Sequence, residues 1–176
     1  MKKLNYGLLV FILFGIMSCN TKQTNSLLLA SPNESITIKF DLNQHGKAYY
    51  EVSFNGQTVI DTSFLGFDFK DAESFNDNFK IVNSSQTAFN ETWQMPWGEQ
   101  LDVVNNYNKL KIELEETTVP NRKLNIVFKA YDDGIGFRYE FPKQDHFQEA
   151  LISEENTQFN LTEDYKTFWI PGDWDI

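Results

Sequence analysis

Two stretches of this sequence place indoles and carboxylates close enough together to handle a sugar. Trp93-Gln94-Met95-Pro96-Trp97-Gly98-Glu99 sets two tryptophans around a proline, with Glu91 and Glu99 on either side. An indole face stacks on the apolar face of a pyranose, and a carboxylate accepts hydrogen bonds from its hydroxyls. The same stretch equally reads as a loop folded back over a core with both indoles buried. Phe168-Trp169-Ile170-Pro171-Gly172-Asp173-Trp174-Asp175 begins as a strand and breaks at Pro-Gly. In extended backbone Asp173 and Asp175 point to one side, with Trp174 opposite. Two such carboxylates can ligate a hard cation such as Ca²⁺, or act as a glycosidase acid pair about 5–10 Å apart. A chain with 25 acidic residues also brings two together by chance.

Other chemistries are poorly supplied. His45 and His146 stand alone and Cys19 is the single cysteine, so no zinc-ligand spacing exists. No Gly-Xaa-Ser-Xaa-Gly elbow and no phosphate-cradling glycine loop is present. Asp132-Asp133-Gly134 lacks the alternating acids and closing glutamate of a calcium loop, and reads as a turn. The formal net charge of −10 argues against nucleic acid, whose phosphates demand a positive surface.

The N-terminus carries an export signal. Lys2 and Lys3 precede an uninterrupted apolar run from Gly7 to Met17, which is too short for the roughly 20 residues of a spanning helix. Ser18 then leads to Cys19, and Ile16-Met17-Ser18-Cys19 resembles a bacterial lipobox. In that chemistry a peptidase cuts before the cysteine and its thiol carries the lipid. Residues 1–18 are therefore expected to be a signal peptide, and 19–30 a tether. Lipid on Cys19 would hold the protein at a membrane, in the periplasm or at the outer membrane. The remainder, 31–176, is of single-domain size.

The elements that must position the indoles are strands. Ile36, Ile38, Phe40 and Leu42 alternate with Thr37, Lys39 and Asp41, the period of a half-buried strand. Tyr50, Val52 and Phe54 run up to Asn55-Gly56, which supplies the two positive-φ residues of a type I′ hairpin. A second hairpin pairs Leu124 to Ala130 with Ile135 to Phe141 and ends at Pro142. Further strands are expected at Phe64–Phe69, Phe79–Val82, Leu101–Val104, Leu110–Leu114, Gln158–Leu161 and Thr167–Ile170. Phe147–Leu151 reads as a short helix or another strand. About ten strands with polar turns and no helical period predict an all-β, antiparallel sandwich. Most of the 16 phenylalanines are then core.

Taken together, four motifs resemble the N-terminal domain of glycoside hydrolase family 97. They are Asn90-Glu91-Thr92-Trp93 with Pro96-Trp97-Gly98-Glu99; Asn121-Arg122-Lys123-Leu124-Asn125-Ile126 with Phe128; Tyr131 to Tyr139; and Trp169-Ile170-Pro171-Gly172-Asp173. The resemblance implies a galactose-mutarotase-like super-sandwich. It also implies an exported bacterial α-glucosidase or α-galactosidase whose (β/α)₈ barrel carries the catalytic acids and most ligands of a Ca²⁺. The sandwich of such an enzyme lends loops to the sugar site, including one calcium-ligating glutamate that would follow Trp-Ile-Pro-Gly-Asp, beyond Ile176. On this basis the chain alone is expected to be inactive, with no catalytic or metal residue assignable. Trp93, Trp97, Glu99, Asp173, Trp174 and Asp175 are expected to face an α-glucoside or α-galactoside oligosaccharide or the barrel. The other reading is a free-standing carbohydrate-binding or docking lipoprotein.

Overall fold

Apolar-polar alternation becomes strand along most of the chain, and the computed structural model, which describes residues 26–145 and 147–168, contains eleven strands. No helix occurs among the described residues. The first four strands are β1 (Leu27–Ala30), β2 (Ile36–Leu42), β3 (Ala48–Phe54) and β4 (Gln57–Phe64). They form one antiparallel sheet with β1 at one edge, and β11 (Asn160–Leu161) closes the other edge against β4. β6 (Phe79–Gln94), β7 (Asp102–Glu116), β8 (Lys123–Ala130) and β9 (Ile135–Glu140) build a second antiparallel sheet in chain order. A small sheet pairs β5 (Phe67–Phe69) with β10 (Ile152–Glu155).

The two large sheets meet through the faces that alternation predicted. Ile38 lies opposite Val52, and Phe40 opposite Tyr50, in the first sheet. Ile112 lies opposite Ile126, and Leu110 opposite Phe128, in the second. All eight are buried. Phe128 bridges the sheets, its ring 6.1 Å from Phe40 and 5.8 Å from Tyr50. A fully buried side chain of this kind contributes about 1.5–3 kcal/mol. The Tyr50 hydroxyl is not orphaned, since it donates to the Gln158 carbonyl at 2.9 Å.

Polar clasps then fix the loops. At the β7–β8 turn, Arg122 donates from Nε and Nη2 to the two carboxylate oxygens of Glu116, each at 2.6 Å. The same guanidinium donates to the carbonyls of Glu73 and Ser74, so the loop between β5 and β6 is held against the turn. Phe75 lies under the guanidinium, 4.4 Å from ring centroid to Cζ. On β5, Asp68 accepts from Asn76 Nδ2 at 2.7 Å and from Asn156 Nδ2 at 2.9 Å, joining that loop to the chain after β10. A Cβ on Gly66 would sit 2.1 Å from Asn76 Oδ1, so a side chain there would push this amide out of the clasp.

Several expectations need correction. The tether does not extend to Ala30: Leu27–Ala30 pairs antiparallel with β2, from Leu27 opposite Phe40 to Ala30 opposite Thr37. The expected strand Phe64–Phe69 is interrupted at Leu65-Gly66, between β4 and β5. Phe147–Leu151 forms neither helix nor strand, and the strand lies just after it, as β10. Thr167 and Phe168 are not strand, and Trp169 and Ile170 lie outside the described residues. So do the leader, Cys19, His146, Asp173, Trp174 and Asp175.

Candidate functional site

The tryptophan stretch sits at the end of a long arm. β6 and β7 stay paired from Phe79 opposite Glu116 out to Gln94 opposite Asp102. Beyond Gln86, nearly every residue of β6 is exposed on both faces. Alternation therefore continues in shape without an apolar face to mark it. The ladder ends with Gln94 Nε2 donating to Asp102 Oδ1 at 3.0 Å, and Met95 N donating to the Leu101 carbonyl at 2.9 Å. Residues 96–100 then cross over as a tight loop. Gly98 turns it with φ +137°, and a Cβ there would press on Met95 Cε at 3.3 Å.

Trp93 and Gln94 are thus the last residues of β6 and not part of a loop. Neither indole is buried: Trp93 is 45% exposed and Trp97 is 83% exposed. The alternative of a loop folded over the core is overturned, because the arm projects past the sandwich edge. Glu99 is exposed on the same tip, and Glu91 lies two residues before Trp93 on one strand face. The arrangement offers flat apolar faces and carboxylate acceptors to solvent. Among the described residues it offers no nucleophile paired with a base and no cluster of three or more His, Cys, Asp or Glu able to hold a metal. No described residue fits the calcium that the resemblance implied.

Two residues of the arm escaped sequence reading. Phe89, two turns of the pleat before Trp93, stacks on Tyr107 across the ladder at 5.1 Å and 25°. Tyr107 in turn meets Tyr131 at 5.1 Å. The period-two series Phe89, Glu91, Trp93 was the available signal, hidden by the polar run Asn83 to Thr87 before it.

Comparison with known proteins follows the same outline. Residues 29–176 match the family described as Glycosyl-hydrolase 97 N-terminal. A retaining alpha-galactosidase of Bacteroides thetaiotaomicron is 24% identical over 139 residues, which are 79% of this chain and 19% of that protein. A Glycoside Hydrolase Family 97 enzyme from Pseudoalteromonas sp. strain K8, solved with acarbose, superposes with TM-score 0.74 at 36% identity, covering 77% of this chain and 20% of that one. The crystal structure of a beta-arabinopyranosidase gives TM-score 0.70 at 26% identity, covering 78% of this chain and 21% of that one. The chain spans about a fifth of the length of these relatives.

Proposed function

The chain belongs to glycoside hydrolase family 97, as the N-terminal domain of that family, and from that membership we propose that it is the non-catalytic β-sandwich of an exo-acting α-glycosidase. Its β6–β7 arm reaches toward the sugar site of a catalytic barrel carried elsewhere in the enzyme. The observation that carries this reading is the exposed tip, where Trp97, Trp93 and Glu99 stand on a paired ladder with nothing of the sandwich over them. An indole held on two hydrogen-bonded strands is pre-organised, so little ordering entropy is lost when a pyranose stacks on it. The substrate class is an α-glucoside or α-galactoside oligosaccharide, supported by relatives that are an alpha-galactosidase and an enzyme complexed with acarbose. Calcium in the whole enzyme would be held chiefly by that barrel. Lipid on Cys19, supported by the leader and the Ser18-Cys19 junction, tethers the enzyme to the bacterial membrane.

The test compares the chain with a longer polypeptide that adds the barrel. The longer one hydrolyses p-nitrophenyl α-glucoside or α-galactoside and the chain alone does not; hydrolysis by the chain alone would sink the reading. In the longer polypeptide Trp97→Ala raises KM about tenfold with little change in kcat, the signature of lost uniform binding. Unchanged kinetics in that variant would remove the arm from the sugar site. Radiolabelled palmitate incorporated into the native protein but not into Cys19→Ala checks the tether.

A further inference from the structure

The outer face of the β6–β9 sheet breaks a rule of sheet design. Leu110, Ile112 and Leu114 point into the core, so Tyr107, Lys109 and Lys111 point outward from β7. Phe128 and Ala130 likewise turn Lys129 outward from β8. The register sets Lys109 directly opposite Lys129. Like charges in that position destabilise a sheet. Lys111 and Arg138, one row along, are neutralised by Glu113 at 3.4 Å and Glu140 at 2.6 Å. Among the described residues, no carboxylate pairs with Lys109 or Lys129. Two facing lysines with no carboxylate partner are unexpected on a chain whose net charge is −10.

Their surroundings supply shape. Opposite Lys129 on β9 is Gly136, where a Cβ would meet nothing within 4 Å, so no side chain crowds the face there. On the other side lies the aromatic row: Phe89 stacked on Tyr107, with Tyr131 against the same ring. Lys129 Nζ sits 3.9 Å from the Tyr107 centroid, which places its ammonium against the rings. Phe89 is 40% exposed.

We propose that this face is a second saccharide site, specific for an acidic pyranoside, in which a sugar ring stacks on Phe89 while its carboxylate or sulfate reaches Lys109 and Lys129, one pleat along the ladder. A row of rings beside paired cations on a rigid sheet complements a ligand that is flat, apolar on one side and anionic at its rim. The site uses neither Trp93 nor Trp97, so it stands independently of the role given to the arm's tip.

Titration calorimetry of the intact chain in detergent micelles, with tetragalacturonate and with maltotetraose, tests it. Tetragalacturonate binds at millimolar concentration or below, more weakly as salt is added, and maltotetraose gives no comparable heat. The double variant K109Q/K129Q loses at least tenfold in affinity, while Trp97→Ala keeps it. Both variants are checked for folding by circular dichroism, and amide shifts mapped by NMR to Phe89 and Lys129 locate the ligand without any substitution. Absence of heat with tetragalacturonate, or equal binding of both sugars undisturbed by K109Q/K129Q, overturns the proposal. Tighter binding of decaglutamate than of tetragalacturonate does so too, since the face would then belong to an acidic protein.

Discussion

Arg122 and Glu116 form a two-point ion pair in the interior, six residues apart across the β7–β8 turn, with side chains only 7% and 5% exposed. Burying two charges is costly, and the geometry answers that cost because the guanidinium also donates to the Glu73 and Ser74 carbonyls. Arg122→Ala leaves a buried carboxylate and two carbonyls without partners, and is expected to destabilise the fold by about 3–5 kcal/mol. Urea unfolding followed by circular dichroism measures it. A loss under 1 kcal/mol would mean that solvent already reaches the pair.

Phe128 joins both sheets, and Phe128→Ala is expected to cost about 3–5 kcal/mol, as other large-to-small core changes do. Its partners Phe40, Tyr50 and Phe137 come from three different strands, so collapse into the gap is limited. Partial refilling by Phe128→Leu recovers more than half of that loss, read from the same unfolding curves.

Tyr50→Phe removes one hydrogen bond, to the Gln158 carbonyl, and costs about 1 kcal/mol at neutral pH. Burial pushes the Tyr50 phenol up to about 12. The unfolded phenol ionises near pH 10 while the folded one stays protonated, so this tyrosine's stabilisation is present below pH 10 and is lost as pH rises toward 12. Denaturation midpoints measured across that range fall less steeply in Tyr50→Phe than in the parent chain.

Hydrogen bonds from Asn156, Ser74 and Asn76 hold the Asp68 carboxyl below its ordinary value. The folded state therefore favours the charged form. That stabilisation is complete above the ordinary value of 3.8 and is lost as pH falls through the lowered folded one. Asp68→Asn is expected to be less stable at neutral pH and to show a flatter acid limb. Identical acid limbs would show that the clasp does not discriminate the carboxylate from its neutral amide.

Gly46 takes φ +71° where the β2–β3 turn meets the start of β6, and a Cβ there would lie 2.6 Å from both backbone N and O of Phe79. Gly46→Ala must break the hydrogen bond from Phe79 N to the Gly46 carbonyl, since backbone cannot yield as a side chain can. Thermal melting is expected to fall by several degrees, whereas Gly56→Ala, which meets nothing within 4 Å, carries only the smaller cost of its φ of +80°.

The parts of this fold visible in sequence were those where one face is buried. Ile36 to Leu42 and the two hairpins alternate because their inner residues meet the core, and Asn55-Gly56 adopts the positive φ values its residue types invite. β6 was seen only at Phe79–Val82, because past the sandwich edge both faces are wet and Asn83 to Thr87 needs no apolar period. β1 is illegible in sequence because Leu27, Leu28 and Leu29 do not alternate, and an edge strand of four residues is too short to show a period. At the site, the tryptophans and Glu99 were legible as unusual residue types in a short span. Their exposure was not, since it depends on how far β7 accompanies β6. Nor was the facing of Lys109 and Lys129, which is a matter of register between strands that sequence places twenty residues apart.

The edge strand β1 also determines how the domain answers a pull. Its outward carbonyls at Leu28 and Ala30 accept side-chain amides from Gln86 at 2.8 Å and Asn108 at 2.9 Å, both on the opposite sheet. Peeling β1 away must break its ladder with β2 and both cross-sheet latches. The first strand is thus fastened to both layers, so fraying from this end costs contacts in each sheet and not in one alone.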